Sequence, residues 1–290
     1  MKYCLRCEAI FDNESWECPQ CGYKPDIIDG YLMFDPEVAY VNDGYNAEDY
    51  ELLREVEKGH FWFDNRNRLL TWVLREYFPT ARKFCEVGCG TGFVLEEISR
   101  SFPQMRIFAS DIHQRSLYHT HSRVPDSNVF QSNICQLPFK DEFNAVGVFD
   151  VLEHIDNDVC ALQSIYNSLK WGGGVIITVP QHMWLWSAQD ERGCHKRRYI
   201  KDDLFRKLEN TGFEVMKATS FMSLLLPILI ISRFRKKSNG KVNDDDELSI
   251  HPFINRVLSC ICRIERYMIE TGIVFPIGGS LLVVAIKNGK

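Results

Sequence analysis

Residues 85–93 read CEVGCGTGF, and this stretch decides the fold. An apolar run, KFCEV, leads into it and an amphipathic run begins at Phe93, so the pattern predicts a buried strand, a glycine-rich turn and a helix. The glycines fall at positions 88, 90 and 92, where a turn can bring its backbone close to a ligand at the carboxyl edge of a parallel sheet. The stretch therefore predicts the first strand–turn–helix unit of an α/β domain, with a ligand site at the turn.

The sequence on the carboxyl side of this unit continues to alternate between strand and helix patterns. Predicted helices begin at Phe93, Gln114 and Asp158, and a glycine-rich turn is predicted at WGGG, residues 171–174. Such alternation indicates parallel βαβ units, whose sheet is covered by helices on both faces. The predicted strands are KFCEVG, MRIFASD, NVFQS, FNAVGVF, VIITVP, GFEVMKATSF and SLLVVAIK.

Composition and charge narrow the class of protein. Of the 290 residues, 45% are hydrophobic and 25% are charged, which is typical of a globular chain that can bury a core. The formal net charge is −5, so no overall positive field exists to attract nucleic acid. The first residues lack the apolar core of a signal peptide, and no apolar run reaches the ~18 residues needed to span a bilayer. We therefore expect a cytoplasmic protein.

Four of the eleven cysteines form two CxxC motifs. Cys4 and Cys7 make the first, and Cys18 and Cys21 make the second. In a reducing cytosol this pattern indicates a metal site more often than disulfides, because each motif can turn two thiolates toward one tetrahedral ion. Zinc is favoured as the commoner structural ion, and a rubredoxin-like iron site is the alternative. We predict a zinc ribbon over residues 1–25, folded by its metal and separable from the ligand site.

Two acidic residues favour a nucleoside ligand at the glycine-rich turn. Glu86 lies two residues before the first glycine, and Asp111 ends the second predicted strand, where it can accept hydrogen bonds from both hydroxyls of an adenosine ribose. A nicotinamide dinucleotide would satisfy these facts equally well. Its fingerprint requires a third glycine at the position of Phe93, however, so the residues favour an adenosyl ligand without phosphates.

Five successive segments resemble the motifs of a known enzyme family. They are similar, in order and spacing, to those of class I S-adenosylmethionine-dependent methyltransferases, especially of the ubiquinone and menaquinone biosynthesis type: EVGCGTGF, SDIHQRSL, SNICQLPF, FDVLEHIDN and LKWGGGVIITVP. The resemblance implies an α/β domain at residues 61–290 with a Rossmann-like, doubly wound, seven-stranded sheet whose last strand is antiparallel. The zinc ribbon and a connector at 26–60 precede it, and a helical insertion at about 221–279 comes before the last strand.

The same resemblance implies which residues hold S-adenosylmethionine. Asp111 would bind the ribose, Asn133 the adenine amino group, and the Ile134 backbone the edge of the ring. Family members more often have Asp where Asn133 stands, but an amide oxygen accepts the same hydrogen bond. On the aromatic-rich helix before the first strand, Arg68 rather than Arg66 is expected to pair with the methionine carboxylate, the alternative being that both lie on a solvated face. The remaining candidates are Glu86; Gly88, Gly90 and Gly92, which leave room for the methionine moiety; and Phe149 and Asp150 at the sulfonium end.

Four polar residues are the candidates for catalysis: Asp150, Glu153, His154 and His195. Methyl transfer from a sulfonium needs positioning and exclusion of water, and a hydroxyl acceptor also needs a base. The element DVLEH resembles the acidic-x-x-Glu-His element of ubiquinone O-methyltransferases, which implies a divalent ion and metal-assisted O-methylation. In the alternative interpretation Glu153 and His154 only cap and brace their loop, and His195 belongs to a solvated basic turn.

The insertion raises the question of a membrane contact. Its apolar stretch FMSLLLPILIIS is followed by the basic cluster RFRKK at residues 233–237. This stretch is too short to span a bilayer, but an apolar face beside cations suits an anionic leaflet, here the inner face of the membrane. The alternative is a hydrophobic lid packed on the domain. We predict a peripheral membrane contact through residues 221–237.

Three functions remain open. The favoured one is an S-adenosylmethionine-dependent methyltransferase that acts on a small-molecule, glycan or lipid-linked acceptor, with O-methylation expected. An RNA methyltransferase that uses the ribbon for recognition is the second, and the acidic net charge opposes it. The third is a non-catalytic binding protein, which has no reason to keep Glu86, the glycines and Asp111 together.

Overall fold

The computed structural model describes residues 1–38, 47–231 and 250–288. Its strands are β1 (Lys2–Tyr3), β2 (Ile10–Phe11), β3 (Asp26–Ile28), β4 (Tyr31–Met33), β5 (Lys83–Val87), β6 (Arg106–Asp111), β7 (Asn128–Gln131), β8 (Phe143–Phe149), β9 (Leu169–Pro180), β10 (Glu214–Phe221) and β11 (Ser280–Ile286). β1 pairs with β2, and the other nine form one sheet in the order β10-β11-β9-β8-β5-β6-β7-β4-β3. From β9 to β7 the strands are parallel, whereas β11 is antiparallel to both of its neighbours, as predicted.

Helices cover both faces of this sheet. They are α1 (Ala47–Glu57), α2 (Phe61–Tyr77), α3 (Phe93–Ser101), α4 (Gln114–Arg123), α5 (Asp158–Ser168), α6 (Ala188–Arg192), α7 (Lys201–Thr211) and α8 (Pro252–Glu270). On β5, Phe84 belongs to the core cluster shared with α2 and α3, whereas Cys85 belongs to the cluster shared with α5 and α7. A strand buried on both faces has a continuous apolar sequence, as KFCEV has.

The glycine-rich segment at 171–174 is part of a strand rather than the predicted turn. β9 begins at Leu169 opposite Phe143, and its register then shifts so that Gly174 lies opposite Ala145. A Cβ on Gly174 would lie 2.4 Å from the carbonyl oxygen of Ala285 on β11. At this position glycine therefore permits the close approach of a neighbouring strand.

The segment predicted as a connector, residues 26–60, extends the sheet by two strands. β3 and β4 form a hairpin, and β4 pairs in parallel with β7, where Leu32 lies opposite Phe130. Met33 is fully buried and shares a small cluster with Leu117 of α4. Strands of three residues are too short to show an alternating pattern, so the sequence does not predict this hairpin.

The ribbon packs on the main domain. The backbone N–H of Tyr3 donates to the carbonyl of Pro138 at 2.9 Å. The ring of Trp16 lies 4.8 Å from that of Phe34 and 5.5 Å from that of Phe139, both edge to face. These two phenylalanines belong to the main core, so the ribbon is anchored to it by an aromatic contact.

The helical insertion lies before β11, as predicted, and contains α8. The side-chain oxygen of Asn255 accepts from the backbone N–H of Phe61 at 2.8 Å, which joins α8 to the start of α2. The carboxylate of Glu265 accepts from the N–H of Leu224 at 2.7 Å, which joins α8 to the chain after β10. Residues 226–231 are helical.

Part of the predicted membrane contact can be placed and part cannot. The basic cluster at 233–237 lies outside the described residues, which leave out 232–249. Among the described residues, no helix combines the length and the apolar character that crossing a membrane requires.

Candidate functional site

The glycine-rich turn joins β5 to α3 at the carboxyl edge of the parallel strands. Gly88, Gly90 and Gly92 have φ angles of 78°, 52° and 75°, a region that glycine enters without steric cost. A Cβ on Gly88 would lie 2.3 Å from Val151, and one on Gly92 would lie 2.8 Å from Thr120. A Cβ on Gly90 would meet no atom of the described residues within 4 Å. The turn is therefore packed from below at two glycines and open to a ligand at the third.

Asp111 ends β6 and turns its carboxylate toward this loop. One oxygen accepts from the N–H of Gly90 and the other from the N–H of His113, both at 2.9 Å. Burial raises the pKa of Asp111, and the charge and N–H of His113 together with the Gly90 N–H oppose that rise. A carboxylate has about four acceptor positions, so it retains capacity for the hydroxyls of a ribose.

Glu86 lies beneath the loop and is almost fully buried. Its Oε2 accepts no hydrogen bond from any residue that the structure describes. Burial raises the pKa of Glu86 well above its ordinary value, and Arg66 opposes the rise while Asp111 adds to it. A buried acceptor without a donor is costly, and a bound ligand that donates to it would remove that cost.

Glu57 of α1 is a second buried carboxylate beside the loop, and the sequence analysis does not identify it. Its two oxygens accept from the hydroxyl of Thr91 at 2.6 Å and from the guanidinium of Arg123 at 2.7 Å. These contacts join α1 and α4 to the glycine-rich turn. The partners lie 34 and 66 residues away in the chain, so no local pattern indicates the contact.

Arg66 contacts Asp150, whereas Arg68, the residue predicted to pair with the methionine carboxylate, points elsewhere. Arg66 donates to the carboxylate of Asp150 at 2.5 Å, and its guanidinium lies 4.4 Å from the ring centroid of Trp62. Arg68 is exposed and lines a cleft between α2 and α3. Two residues along a helix are about 200° apart around its axis, so the two arginines face opposite ways.

Asn133 and Ile134 follow β7 at the same edge of the sheet. The side-chain oxygen of Asn133 accepts from the N–H of Cys135 at 3.0 Å and so caps the short helix Ile134–Gln136. Its amide N–H groups and a second oxygen lone pair remain for a ligand. Phe149 is buried in the core, where its ring lies against Gly147. Its predicted place at the sulfonium end stays a prediction.

Three of the predicted catalytic residues lie close together. The ligand atoms of Glu153, His154 and His195 all lie within 4.8 Å of one another. Burial, and next the charge of Asp150, raises the pKa of Glu153 well above its ordinary value, and its Oε2 accepts no hydrogen bond from the described residues. The two imidazoles are perpendicular, with ring centroids 4.7 Å apart. Such a set can hold a divalent cation or move a proton.

Asp190 and Arg198 complete this cluster. The Oδ1 of Asp190 lies 2.9 Å from the Nδ1 of His195, and its two oxygens accept from Arg198 at 2.7 and 2.9 Å. Burial alone would raise the pKa of Asp190, but the hydrogen bonds from His195 and Arg198 outweigh it and hold the pKa well below its ordinary value. The lowered pKa of Asp190 favours its ionised form, which can accept the Nδ1–H of His195, and in the tautomer that carries this proton Nε2 is an acceptor.

Asp190 carries no motif that marks it in the sequence. The only signal available is that Asp190 precedes His195 by five residues in one polar loop, a spacing that singles out no structure. A short helix, α6, brings the two side chains together, and its capping box is built by Ser187 and Asp190 themselves.

The four ribbon cysteines converge on one point. The sulfur atoms are 3.6 Å apart in the pair Cys4 and Cys21 and 3.5 Å apart in the pair Cys7 and Cys18, and all four lie within 4.8 Å of one another. A tetrahedral zinc ion with Zn–S bonds of ~2.3 Å separates its sulfurs by about 3.8 Å. The cluster therefore fits one zinc ion, although a set of four thiolates also suits iron.

The sequence matches the family described as a methyltransferase domain over residues 52–218. This segment runs from α1 to β10 and contains the glycine-rich turn, Asp111 and the cluster around His195. The ribbon and α8 lie outside it.

Known proteins of this kind share part of their length with the chain. A "Probable S-adenosylmethionine-dependent methyltransferase" of Mycobacterium tuberculosis (strain ATCC 25618 / H37Rv) is 28% identical over 164 residues, which are 55% of this chain and 58% of the relative. The trans-aconitate 2-methyltransferase of Rhodopseudomonas palustris is 24% identical over 102 residues, which are 35% of this chain and 40% of the relative. The chain thus spans 58% or less of the length of these curated relatives.

A solved structure supports the fold independently. Phosphoethanolamine N-methyltransferase 2 of Haemonchus contortus, in complex with S-adenosyl-L-methionine, superposes with a TM-score of 0.57 at 17% identity, covering 90% of this chain and 61% of that chain. A likeness at this identity concerns the fold alone. The match to residues 52–218 goes further, because it covers more than half of the chain and includes the whole candidate site. The chain therefore belongs to the methyltransferase domain family, with the Rossmann-like fold of the class I S-adenosylmethionine-dependent methyltransferases.

Proposed function

We propose that the protein is an S-adenosylmethionine-dependent methyltransferase that methylates an oxygen of a small-molecule, glycan or lipid-linked acceptor. The observation that carries the proposal is the Asp190–His195 pair, which provides a base beside Glu153 and His154 at the carboxyl edge of the sheet. The glycine-rich turn lies at the same edge. A donor site and a base at one edge are what O-methylation requires.

The residues present fit S-adenosylmethionine. Gly90 leaves open space, and Asp111 offers acceptors to a ribose. Glu86 has a buried oxygen that lacks a donor, which suits the ammonium group of the methionine moiety. The Nε–H of Arg66 has no acceptor among the described residues and suits the carboxylate of that moiety. Asn133 and Ile134, at the start of the short helix after β7, would take the adenine.

The bound donor supplies an electrophilic methyl group, and the protein handles the proton of the acceptor. The acceptor oxygen would bond to the methyl carbon as the carbon–sulfur bond breaks and a neutral thioether leaves, and Nε2 of His195 would accept the proton that the hydroxyl loses. The ionised Asp190 then stabilises the imidazolium through Nδ1–H, and Arg198 holds Asp190 in place through two hydrogen bonds. Asp150 lies beside Glu153, and its ion pair with Arg66 holds its carboxylate in place in that part of the site.

A divalent cation would be a second means of activating the acceptor hydroxyl. Glu153, His154 and His195 offer one carboxylate and two imidazoles within 4.8 Å, and the unpaired Oε2 of Glu153 is suited to a cation. Such an ion would acidify an acceptor hydroxyl directly. Chelation followed by restoration with magnesium or zinc distinguishes this route from a base that acts alone.

The ribbon gives no support to an RNA acceptor. Residues 1–25 contain three lysines and arginines against four aspartates and glutamates, so this module lacks the cationic surface that phosphate binding requires.

The test compares donor binding with turnover. A methyl-labelled donor is incubated with cell extract separated into soluble, glycan, lipid and RNA fractions, and the methylated atom is identified by mass spectrometry. We expect label on oxygen in one of the first three fractions. His195→Gln should lower the rate by about 10²- to 10⁴-fold while donor affinity stays the same, and His121→Gln, on the exposed side of α4, should change neither. Label in RNA, or no label together with intact donor binding, would contradict the proposal.

A further inference from the structure

The exposed apolar side chains of this protein are concentrated in one region. Of the 22 large hydrophobic side chains that are exposed in the described chain, eleven lie between residues 224 and 277. On α8 the stripe consists of Phe253, Val257, Ile264 and Tyr267, which are 69%, 44%, 56% and 66% exposed. Their spacing of four, seven and three residues places them along one line of the helix surface.

This stripe is not needed to hold α8 on the domain. The opposite side of the helix already packs on α2 and β10, with Cys262 and Ile269 in the core cluster. Folding therefore gives no reason for the outer stripe, and a contiguous apolar surface of this kind marks an interaction site.

The charge bordering the stripe has one sign. In the described residues 222–231 and 250–279 the carboxylates are Glu265, which is buried, and Glu270, which pairs with Arg266 at 2.7 Å. Arg256 and Arg263 are exposed, and no salt bridge of the described chain includes them. Each precedes a stripe residue by one position, so both lie beside the stripe. Within residues 222–231 and 250–279, a protein of net charge −5 thus carries exposed cations outside any salt bridge, while both carboxylates are buried or paired.

We propose that the outer face of α8 binds the surface of an anionic membrane. The stripe would enter the boundary between headgroups and acyl chains, and Arg256 and Arg263 would contact lipid phosphates. A second copy of this chain is the other occupant to weigh. From the described face of α8 it would bring two more arginines and no free carboxylate to the contact, so these charges would repel each other. The surface therefore suits anionic lipid, whether or not the protein transfers methyl groups.

The proposed membrane contact lies on α8 rather than on residues 221–237, the segment that the sequence indicates. Of residues 221–237, the described part contributes Ile228 and Ile231, which are exposed, and it is tied to α8 through Glu265 and Leu224. The main apolar surface is on α8, which the sequence analysis treats only as part of the insertion.

The test is sedimentation of the full chain with vesicles. We expect binding to phosphatidylcholine vesicles that contain about 30% phosphatidylglycerol, and little binding to phosphatidylcholine alone, because cations add to the apolar attraction. Arg256→Gln and Arg263→Gln should each weaken binding about fivefold, the change that ~1 kcal/mol per cation represents. Ile264→Asp and Tyr267→Asp should weaken it more than tenfold, because each places a carboxylate in the boundary region.

Matched controls lie elsewhere on the surface. Tyr118, on α4, is 64% exposed, so Tyr118→Asp repeats the chemistry of Tyr267→Asp away from the stripe, and Arg206→Gln on α7 repeats the arginine changes. All variants should keep the circular dichroism and the donor affinity of the wild type. Equal binding to neutral and anionic vesicles would overturn the proposal, and so would equal losses of binding in the control variants. If the protein does not bind vesicles but forms a dimer that Ile264→Asp dissociates, the stripe is a protein interface instead.

Discussion

Asp111 is the residue proposed to bind the ribose, because it accepts from the N–H of Gly90, where the glycine-rich turn leaves space. We predict that Asp111→Ala weakens binding of S-adenosylmethionine by ~1–3 kcal/mol, since it removes the acceptor for two ribose hydroxyls. Asp111→Asn, which keeps one oxygen, should be intermediate. Titration calorimetry measures the change, and Asp126→Ala in an exposed turn is the control. An unchanged dissociation constant in Asp111→Ala would contradict the assignment.

Arg66 and Arg68 form a matched pair on one helix. Arg66 contacts Asp150 and Arg68 is exposed, so Arg66→Gln should weaken donor binding by about 1.5–3 kcal/mol, whereas Arg68→Gln should leave it unchanged. The same calorimetric titration decides between them. A loss in Arg68→Gln alone would support the prediction made from the sequence instead.

The protonation of Glu86 makes the free energy of unfolding depend on pH. Burial raises its pKa in the folded state above the ordinary value of 4.5. A group with a raised folded pKa contributes stability that is present below its unfolded pKa and is lost as the pH rises toward the folded one. As the pH rises above 4.5, the free energy of unfolding should therefore fall more in the wild type than in Glu86→Gln. Urea unfolding without the donor measures this, and identical pH dependences would refute it.

Among the elements, the ribbon is bound to the main core more closely than its cysteine spacing suggests. Trp16 packs on Phe34 and Phe139, so Trp16→Ala should lower the free energy of unfolding of the whole protein by about 1–3 kcal/mol. Trp184→Ala, at an exposed position, should have a smaller effect. Thermal unfolding followed by near-ultraviolet circular dichroism reports the difference. A loss confined to the ribbon would show that it is a separate module.

The metal content of the purified protein tests the predicted zinc site of the ribbon. Because the four sulfurs are spaced as in a tetrahedral site, we expect about one equivalent of zinc in the purified protein. Cys21→Ser should release it. Iron in elemental analysis would establish the rubredoxin-like alternative instead.

The secondary structure was predictable wherever an element is long enough to show its period. The seven core strands follow from apolar runs such as KFCEV, and α8 follows from an apolar repeat over 19 residues. The hairpin of β3 and β4 has only three residues per strand, and its stability comes from pairing with β7 almost a hundred residues later. A contact of that range leaves no local pattern in the sequence.

At the scale of the whole molecule, topology explains which parts of the site could be predicted. Parallel strands place their carboxyl ends at one edge, so residues that follow different strands, such as Asp111 and Glu153, could be assigned to one site from sequence alone. Which side of a helix faces that edge depends on packing, and this separates Arg66 from Arg68. Glu57 and Asp190 are absent from the prediction because tertiary contacts position them, and composition does not reveal such contacts.

The helix α8 joins two surfaces of the molecule. Its inner side lines a small cavity together with Arg66 of α2, and its outer side carries the stripe proposed to bind lipid. An acceptor that resides in a membrane would therefore meet the protein on the helix that also borders the candidate site.

The position of β11 between β9 and β10 has a consequence for synthesis. Within the described chain β10 pairs with β11 alone, and β11 follows it only after about 60 further residues. While the ribosome translates those residues, which takes several seconds at ~5–20 residues per second, β10 lacks a partner and β9 presents an open edge. Open edges pair readily with other chains. We therefore expect the nascent polypeptide to be exposed to aggregation in the interval before residues 280–286 leave the exit tunnel.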